Sequence, residues 1–136
     1  MGVLIDTAVF IRWERERRQV DFGRWSSYGN AGVSVITASE LLIGVRRANS
    51  EERRLRREAF VEGILSRLPV IEINLGIARV HAEILVDLAI KGSLIGTHDL
   101  WIAATARYCD YAVLTTNTSE FKRVSGLMVL GIDAET

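Results

Sequence analysis

Residues 3–11 read VLIDTAVFI, an apolar run interrupted by one carboxylate, Asp6. Residues 3–6 are short, aliphatic and continuous in apolar character, which predicts a strand covered on both faces. Residues 7–16 carry apolar groups at three- and four-residue spacing, which predicts a helix. A strand that runs straight into a helix opens a βα unit, and the same succession recurs along the chain. Further strands are predicted at 33–37 (VSVIT), 70–73 (VIEI), 111–115 (YAVLT) and 127–130 (LMVL). Helices are predicted at 38–48, 51–67, 76–91 and 98–109, with Ile77, Val80, Ile84 and Leu88 marking one apolar stripe. Ser50, followed by Glu51 and Glu52, suits a helix start, and Gly92 suits a helix end. The only proline, Pro69, stands just before a strand. This alternation predicts an α/β domain with a mainly parallel sheet, helices on both faces and right-handed crossovers. No repeat, low-complexity tract or linker interrupts it.

With 136 residues, 49% of them hydrophobic, the chain is expected to form one domain over 1–136 and to bury roughly two thirds of its unfolded surface. Its 17 basic and 17 acidic residues cancel, so no global field draws it to nucleic acid or an anionic membrane. Such an attraction must come from a local patch. The single cysteine, Cys109, excludes an internal disulfide framework, fits a reducing cytoplasm and is expected to be an inert core thiol. The opening residues lack a basic segment leading into a long apolar stretch, and no run reaches the roughly 18 apolar residues of a membrane span. A soluble, cytoplasmic protein without membrane contact is the expectation.

An isolated carboxylate taken out of water must be paired, protonated or bound to a metal, so Asp6 demands a reason. In open α/β sheets ligands gather outside the carboxyl ends of the strands, and Asp6 lies at such an end. Glu40 is expected just past the second strand, in the first turn of its helix. Asp99 opens the helix of GTHDLWIAATARY, and TTNTSEF, with Asn117 and Glu120, follows the fourth strand. Each has an ordinary alternative. Acidic groups favour helix N-termini, Thr37-Ala38-Ser39-Glu40 reads as a capping box, and Thr97 is placed to cap the helix of Asp99. The conjunction is what capping does not explain, because caps need not fall at one edge of several strands. Two carboxylates about 4 Å apart repel by roughly 4 kcal/mol at an effective dielectric of 20, so a convergent cluster calls for a cation. Oxygen-only ligands favour Mg²⁺ or Mn²⁺ over zinc.

The pieces VLIDTAVFI, SVITASELLIGV, GTHDLWIAATA and TTNTSEF followed by VSGLMVL, in that order, resemble the PIN-domain ribonucleases, specifically the VapC-type toxins of toxin–antitoxin pairs. The resemblance implies a three-layer sandwich around a five-stranded parallel sheet of order 3-2-1-4-5, an acidic Mg²⁺ site and cleavage of RNA to 5′-phosphate and 3′-hydroxyl ends. It also implies homodimerisation and inhibition by a small cognate antitoxin of VapB type. Position by position, Asp6 and Asp99 match the principal metal-binding aspartates, Glu40 the acidic residue after the second strand, and Thr115 a supporting hydroxyl. The fourth position departs: Asn117 stands where relatives often have aspartate, and Glu120 where an aspartate commonly precedes phenylalanine. Asn117, Glu120 or neither completes the site.

Two other functions compete. A receiver usually needs an acidic pair after its first strand and a phosphoacceptor aspartate after its third, which here ends VIEINLG, and a haloacid-dehalogenase-like phosphatase needs two aspartates separated by one residue, where this chain reads Asp6-Thr7-Ala8. A non-catalytic RNA- or protein-binding module on the same scaffold would not need the trio of Asp6, Glu40 and Asp99. His98 adjoins Asp99 and is given an accessory role, whereas His81 is expected to be structural. Arg46, Arg47, Arg53, Arg54, Arg56 and Arg57 form either a solvated face, with Glu52 and Arg56 paired, or a phosphate-binding strip. The same choice holds for Arg12, Arg15, Arg17 and Arg18. Trp13 and Trp101 are expected to pack, and Trp25, in GRWSSYGN, to be exposed.

Overall fold

The computed structural model describes residues 1–18, 21 and 23–133. The chain begins with β1 (Gly2–Ile5), α1 (Thr7–Arg15) and a 3₁₀ helix (Gly23–Tyr28), then β2 (Asn30–Ser34), α2 (Val35–Arg46) and α3 (Glu51–Arg67). It continues through β3 (Val70–Ile71), α4 (Leu75–Ile90), α5 (Thr97–Cys109), β4 (Tyr111–Thr115), α6 (Thr118–Phe121) and β5 (Val129–Gly131). The five strands form one sheet in the order β3-β2-β1-β4-β5, and every pairing is parallel. Val3 faces Ala31 on one side and Ala112 on the other, so β1 is the centre of the sheet.

Strand alternation splits the core in two. Val3 and Ile5 point into one cluster, with Phe10 and Trp13 of α1, Leu41 and Val45 of α2, and Val61 and Ile64 of α3. Leu4 points the opposite way, among Ile77, Ile84 and Leu88 of α4 and Ile102 and Ala106 of α5. Leu114 and Val113 divide likewise on β4. A period of two along each strand therefore requires a helical layer on each face, which gives the three-layer sandwich. The α4–α5 contact is close enough to require a residue without a side chain: a Cβ on Gly76 would lie 2.2 Å from the ring of Tyr108.

Several local expectations hold. The third helix spans 51–67 as read, with the Ser50 hydroxyl accepting from the amide of Arg53 at 3.2 Å. Gly92 takes φ +66° just beyond the end of α4, where a left-handed residue closes the helix. Others are corrected. The second strand is Asn30–Ser34 rather than 33–37, and α2 starts at Val35 with the Ser34 hydroxyl accepting from Ile36. Val35 and Ile36 read as strand because they are β-branched, but the cap at Ser34 turns them into a first helical turn. The third and fifth strands are shorter or shifted, at Val70–Ile71 and Val129–Gly131. Trp25 is not exposed: only 6% of it is accessible, and it packs 6.4 Å from Trp13 with the Arg24 guanidinium over its ring. Its polar neighbours in sequence misled because the 3₁₀ helix folds the indole inward. Cys109 is half-buried at the last turn of α5 rather than in the core. Among the described residues no helix is long and apolar enough to cross a membrane.

Candidate active site

The carboxyl edge of the sheet brings the acidic residues together. Asp6 follows β1 directly. Its amide continues the ladder to the carbonyl of Leu114 at 2.9 Å, and its own carbonyl already starts α1. Although Asp6 occupies the N-cap position, its side chain does not cap the helix. It is 4% exposed and accepts a 2.8 Å hydrogen bond from the Thr115 hydroxyl at the end of β4. Burial raises its pKa above the usual carboxylate range. Hydrogen bonds from Thr115 and from the Thr7 amide oppose that rise, and the charges of Glu40 and Glu120 add to it.

Glu40 does not sit in the first turn of α2, and the expected capping box is absent because Ser34 caps the helix instead. Its carboxylate is held at both oxygens. The Thr7 hydroxyl donates to Oε1 at 2.7 Å, and His98 Nδ1 lies 3.2 Å from Oε2. The Thr7 and Thr37 hydroxyls are 3.0 Å apart and buried. With the one proton of Thr7 directed at a carboxylate, Thr37 is left to donate to Thr7. Thr7 and Thr37 join the acidic network although sequence reasoning assigned Thr7 no role and Thr37 only that of a cap. Their signal was present, since Thr7 follows Asp6 and Thr37 precedes Glu40 by three residues on the same helical face.

Asp99 lies in the first turn of α5, whose N-cap is Gly96 and not the expected Thr97. Burial comes first among the causes that push its pKa up to about 7, followed by the charge of Asp6, the charge of Glu120, a side-chain hydrogen bond with Glu120, and the charge of Glu40. Glu120, on the single turn of α6, accepts from the Gly96 amide at 2.7 Å through Oε1 and from Asn117 Nδ2 at 2.7 Å through Oε2. A Cβ on Gly96 would lie 3.6 Å from Glu120 Oε1 and 3.7 Å from Asp99 Oδ2, so the glycine keeps the space between them open. Asn117 also donates its amide to the Thr115 hydroxyl at 2.9 Å. All six expected residues therefore belong to one network. Asn117 acts within it as a donor to Glu120.

This network carries an excess of negative charge. Among the described residues the one ion pair made by any of the four carboxylates is that of Glu40 with His98, and His98 is charged only when protonated. No three acidic, histidine or cysteine groups among the described residues already stand as a metal cage, and Asp6, Glu40 and Glu120 each accept hydrogen bonds from protein donors. The donor chemistry nevertheless suits a hard divalent cation: the candidate ligands are all carboxylate oxygens, and burial, followed by the charges of Asp6 and Glu120, raises the proton affinity of Asp99.

Five of the ten arginines in the two basic clusters are engaged elsewhere among the described residues. Arg54 pairs with Glu51 and Glu58, Arg57 with Glu14 and Arg53 with Asn49, so the pairing on α3 is not the expected Glu52–Arg56 contact. Arg12 pairs with Asp133 and Arg18 with Glu16. His81 stacks on Trp101 with ring centroids 3.7 Å apart, the packing role expected of both.

The PIN domain family model matches residues 3–127. The chain is 41% identical over 135 residues to "Ribonuclease VapC1" of Rickettsia felis, covering 99% of each. It is 35% identical over 99 residues to "tRNA(fMet)-specific endonuclease VapC" of Shigella flexneri, covering 73% of each. Among solved structures it is similar to VapBC2 from Rickettsia felis bound to a DNA fragment from its promoter, with TM-score 0.86, 25% identity and coverage of 98% of this chain and 100% of that one. With its family model matched over residues 3–127 and a VapC ribonuclease 41% identical across 99% of its length, the chain belongs to the PIN-domain family, among its VapC ribonucleases.

Proposed function

We propose that the protein is a divalent-metal-dependent endoribonuclease, the toxin of a type II toxin–antitoxin pair, built as one PIN domain that hydrolyses RNA phosphodiester bonds. The observation that carries the reading is the gathering of Asp6, Glu40, Asp99 and Glu120, from four separate segments, at the carboxyl edge of the sheet, with Thr115, Thr7, Asn117 and the Gly96 amide holding three of them. In this reading Asp6, Asp99 and Glu40 hold Mg²⁺ or Mn²⁺, and Glu120 completes the set. When bound, such a cation neutralises charge on the phosphodiester and acidifies a water molecule for in-line attack.

The remaining work belongs to the chain. Thr115 fixes the Asp6 carboxylate from the side of β4, and Thr7 and His98 fix the two oxygens of Glu40. Asn117 and the Gly96 amide hold Glu120 against Asp99. Burial and the neighbouring carboxylates raise the proton affinity of Asp99 in the metal-free chain, and a bound cation would oppose that rise.

A VapB-type antitoxin and a second copy of this chain are the expected protein partners, the first supported by the VapBC assemblies among the structural relatives. An apolar cleft of about 160 Å³ lined by Phe10, Ile11, Leu41 and Phe60 leads to Glu40 and offers a partner segment a seat. A basic side chain on that segment would then offset the carboxylates' repulsion in place of the metal. The test is cleavage of RNA by protein freed of any partner. Mg²⁺ or Mn²⁺ should support it and EDTA should abolish it, and equal cleavage in EDTA after removal of contaminating nucleases would refute the reading.

A further inference from the structure

On the far side of Thr115 from Asp6, between the 3₁₀ helix, the turn after β4 and the edge of β5, lies a cavity of about 500 Å³. That volume falls within the roughly 300–1,000 Å³ of small-ligand sites. The half-buried ring of Tyr28 gives it an aromatic surface beside the buried Trp25, and Thr116, Thr118 and Lys122 give it polar groups. The hydroxyls of Thr116 and Thr118 have no hydrogen-bond partner among the described residues, and neither has the ammonium of Lys122, which is exposed. The one carboxylate of the lining, Asp133, is neutralised by Arg12, whose Nη1 lies 3.0 and 2.8 Å from its two oxygens. The lining thus offers an aromatic surface, two uncommitted hydroxyls and one uncommitted positive charge. A ligand that satisfies all three has a flat aromatic ring, a hydrogen-bonding edge and an anionic group.

The cavity shares a wall with the acidic site. Thr115 lines it while donating to Asp6 at 2.8 Å, so a single side chain separates the cavity from the acidic site. We propose that this cavity is a nucleotide subsite. It takes the unpaired base flanking the cleaved phosphodiester against the half-buried ring of Tyr28, with the hydroxyls of Thr116 and Thr118 at the base edge and Lys122 on the adjoining phosphate. The proposal rests on the ribonuclease reading for the identity of its strand. Base preference beside the cut is then set here, while the carboxylates see only phosphate.

Two measurements test it. Nucleoside 5′-monophosphates titrated into isotope-labelled protein in EDTA should shift the amide resonances of Thr116, Thr118 and Gly131. Lys122→Ala should weaken that binding about tenfold, whereas Arg79→Ala, the loss of one charge from an exposed position on α4 across the sheet, should not. In steady-state cleavage of short single-stranded RNA, Lys122→Ala should raise KM and keep kcat, Lys122→Arg should restore KM, and Thr118→Val should change the preferred base next to the cut. Absence of the amide shifts, or equal effects of Lys122→Ala and Arg79→Ala on nucleotide binding, overturns the subsite. A wild-type protein that cleaves no RNA would instead strike the ribonuclease reading, and the binding measurement, which needs no turnover, still decides the cavity.

Discussion

Replacing Asp99 by asparagine should stabilise the metal-free protein, and the gain should depend on pH. The carboxyl has a usual value of 3.8 and is raised to about 7 in the folded chain. At 1.36 kcal/mol per factor of ten in proton affinity, ionising it in the folded state costs about 4 kcal/mol above the unfolded state. Part of that is screened, because Asp99 is only partly buried and its neighbours share the titration, so about 2 kcal/mol is expected to be measurable. The sign follows from proton counting. Between 3.8 and about 7 the folded state holds more protons than the unfolded one, so wild-type stability is full below 3.8 and falls as pH rises to about 7. Asparagine keeps the shape and carries no charge, so the variant escapes that loss. Urea unfolding in EDTA should therefore show Asp99→Asn more stable than wild type at pH 8, with less than half of that gain left at pH 5. Added Mg²⁺ should stabilise wild type and leave the variant almost unmoved. A variant less stable than wild type at pH 8, or a gain independent of pH, would refute the assignment of Asp99 to a like-charge cluster.

Glu120→Gln should lower cleavage at least tenfold and more than Asn117→Ala, because the new amide sets a donor against Asn117 Nδ2 and removes a charge beside Asp99. Asn117→Asp should bring half-maximal activity to lower Mg²⁺; a titration of the three variants that finds Glu120→Gln fully active would reverse the ranking. Thr115→Val should cost about 1–3 kcal/mol, since it strips a donor from buried Asp6 and an acceptor from the Asn117 amide. It should also move the acid limb of the pH–rate profile upward, because the Thr115 bond holds the Asp6 pKa down, and an acid limb left in place would separate Thr115 from the chemistry.

The fold was legible where pattern and burial agree. Leu4 lies between Val3 and Ile5 with all three nearly inaccessible, so the run VLI reads as a strand covered on both faces, and the helix of residues 51–67 announces itself by Ser50 and its first-turn acids. It was illegible where a local cap overrides propensity. Nothing in VSVIT distinguishes a continuing strand from a helix start until the Ser34 hydroxyl is seen on the Ile36 amide. Strand order was equally out of reach of pattern alone. It entered through family resemblance, because which strands pair depends on crossovers that leave no periodic trace.

The site was legible as a set of positions and not as a set of bonds. Carboxylates at the ends of several strands predict convergence, since parallel strands deliver all their carboxyl ends to one edge. They do not predict which oxygen meets which donor. The departure at TTNTSEF shows the difference. Against a family pattern, Asn117 looks like a weakened ligand and Glu120 like a lengthened one. In the folded chain they are a donor and an acceptor 2.7 Å apart, placed three residues apart by the single turn of α6, with the Gly96 amide on the other oxygen of Glu120. The asparagine thus compensates for the glutamate's extra methylene: it pins the longer side chain against Asp99, where an aspartate at 117 would repel it. An aspartate at 117 would replace that donor by a second charge, so Asn117→Asp should be less stable than the wild type in metal-free solution, and urea unfolding in EDTA that finds no loss would refute the pairing of Asn117 with Glu120.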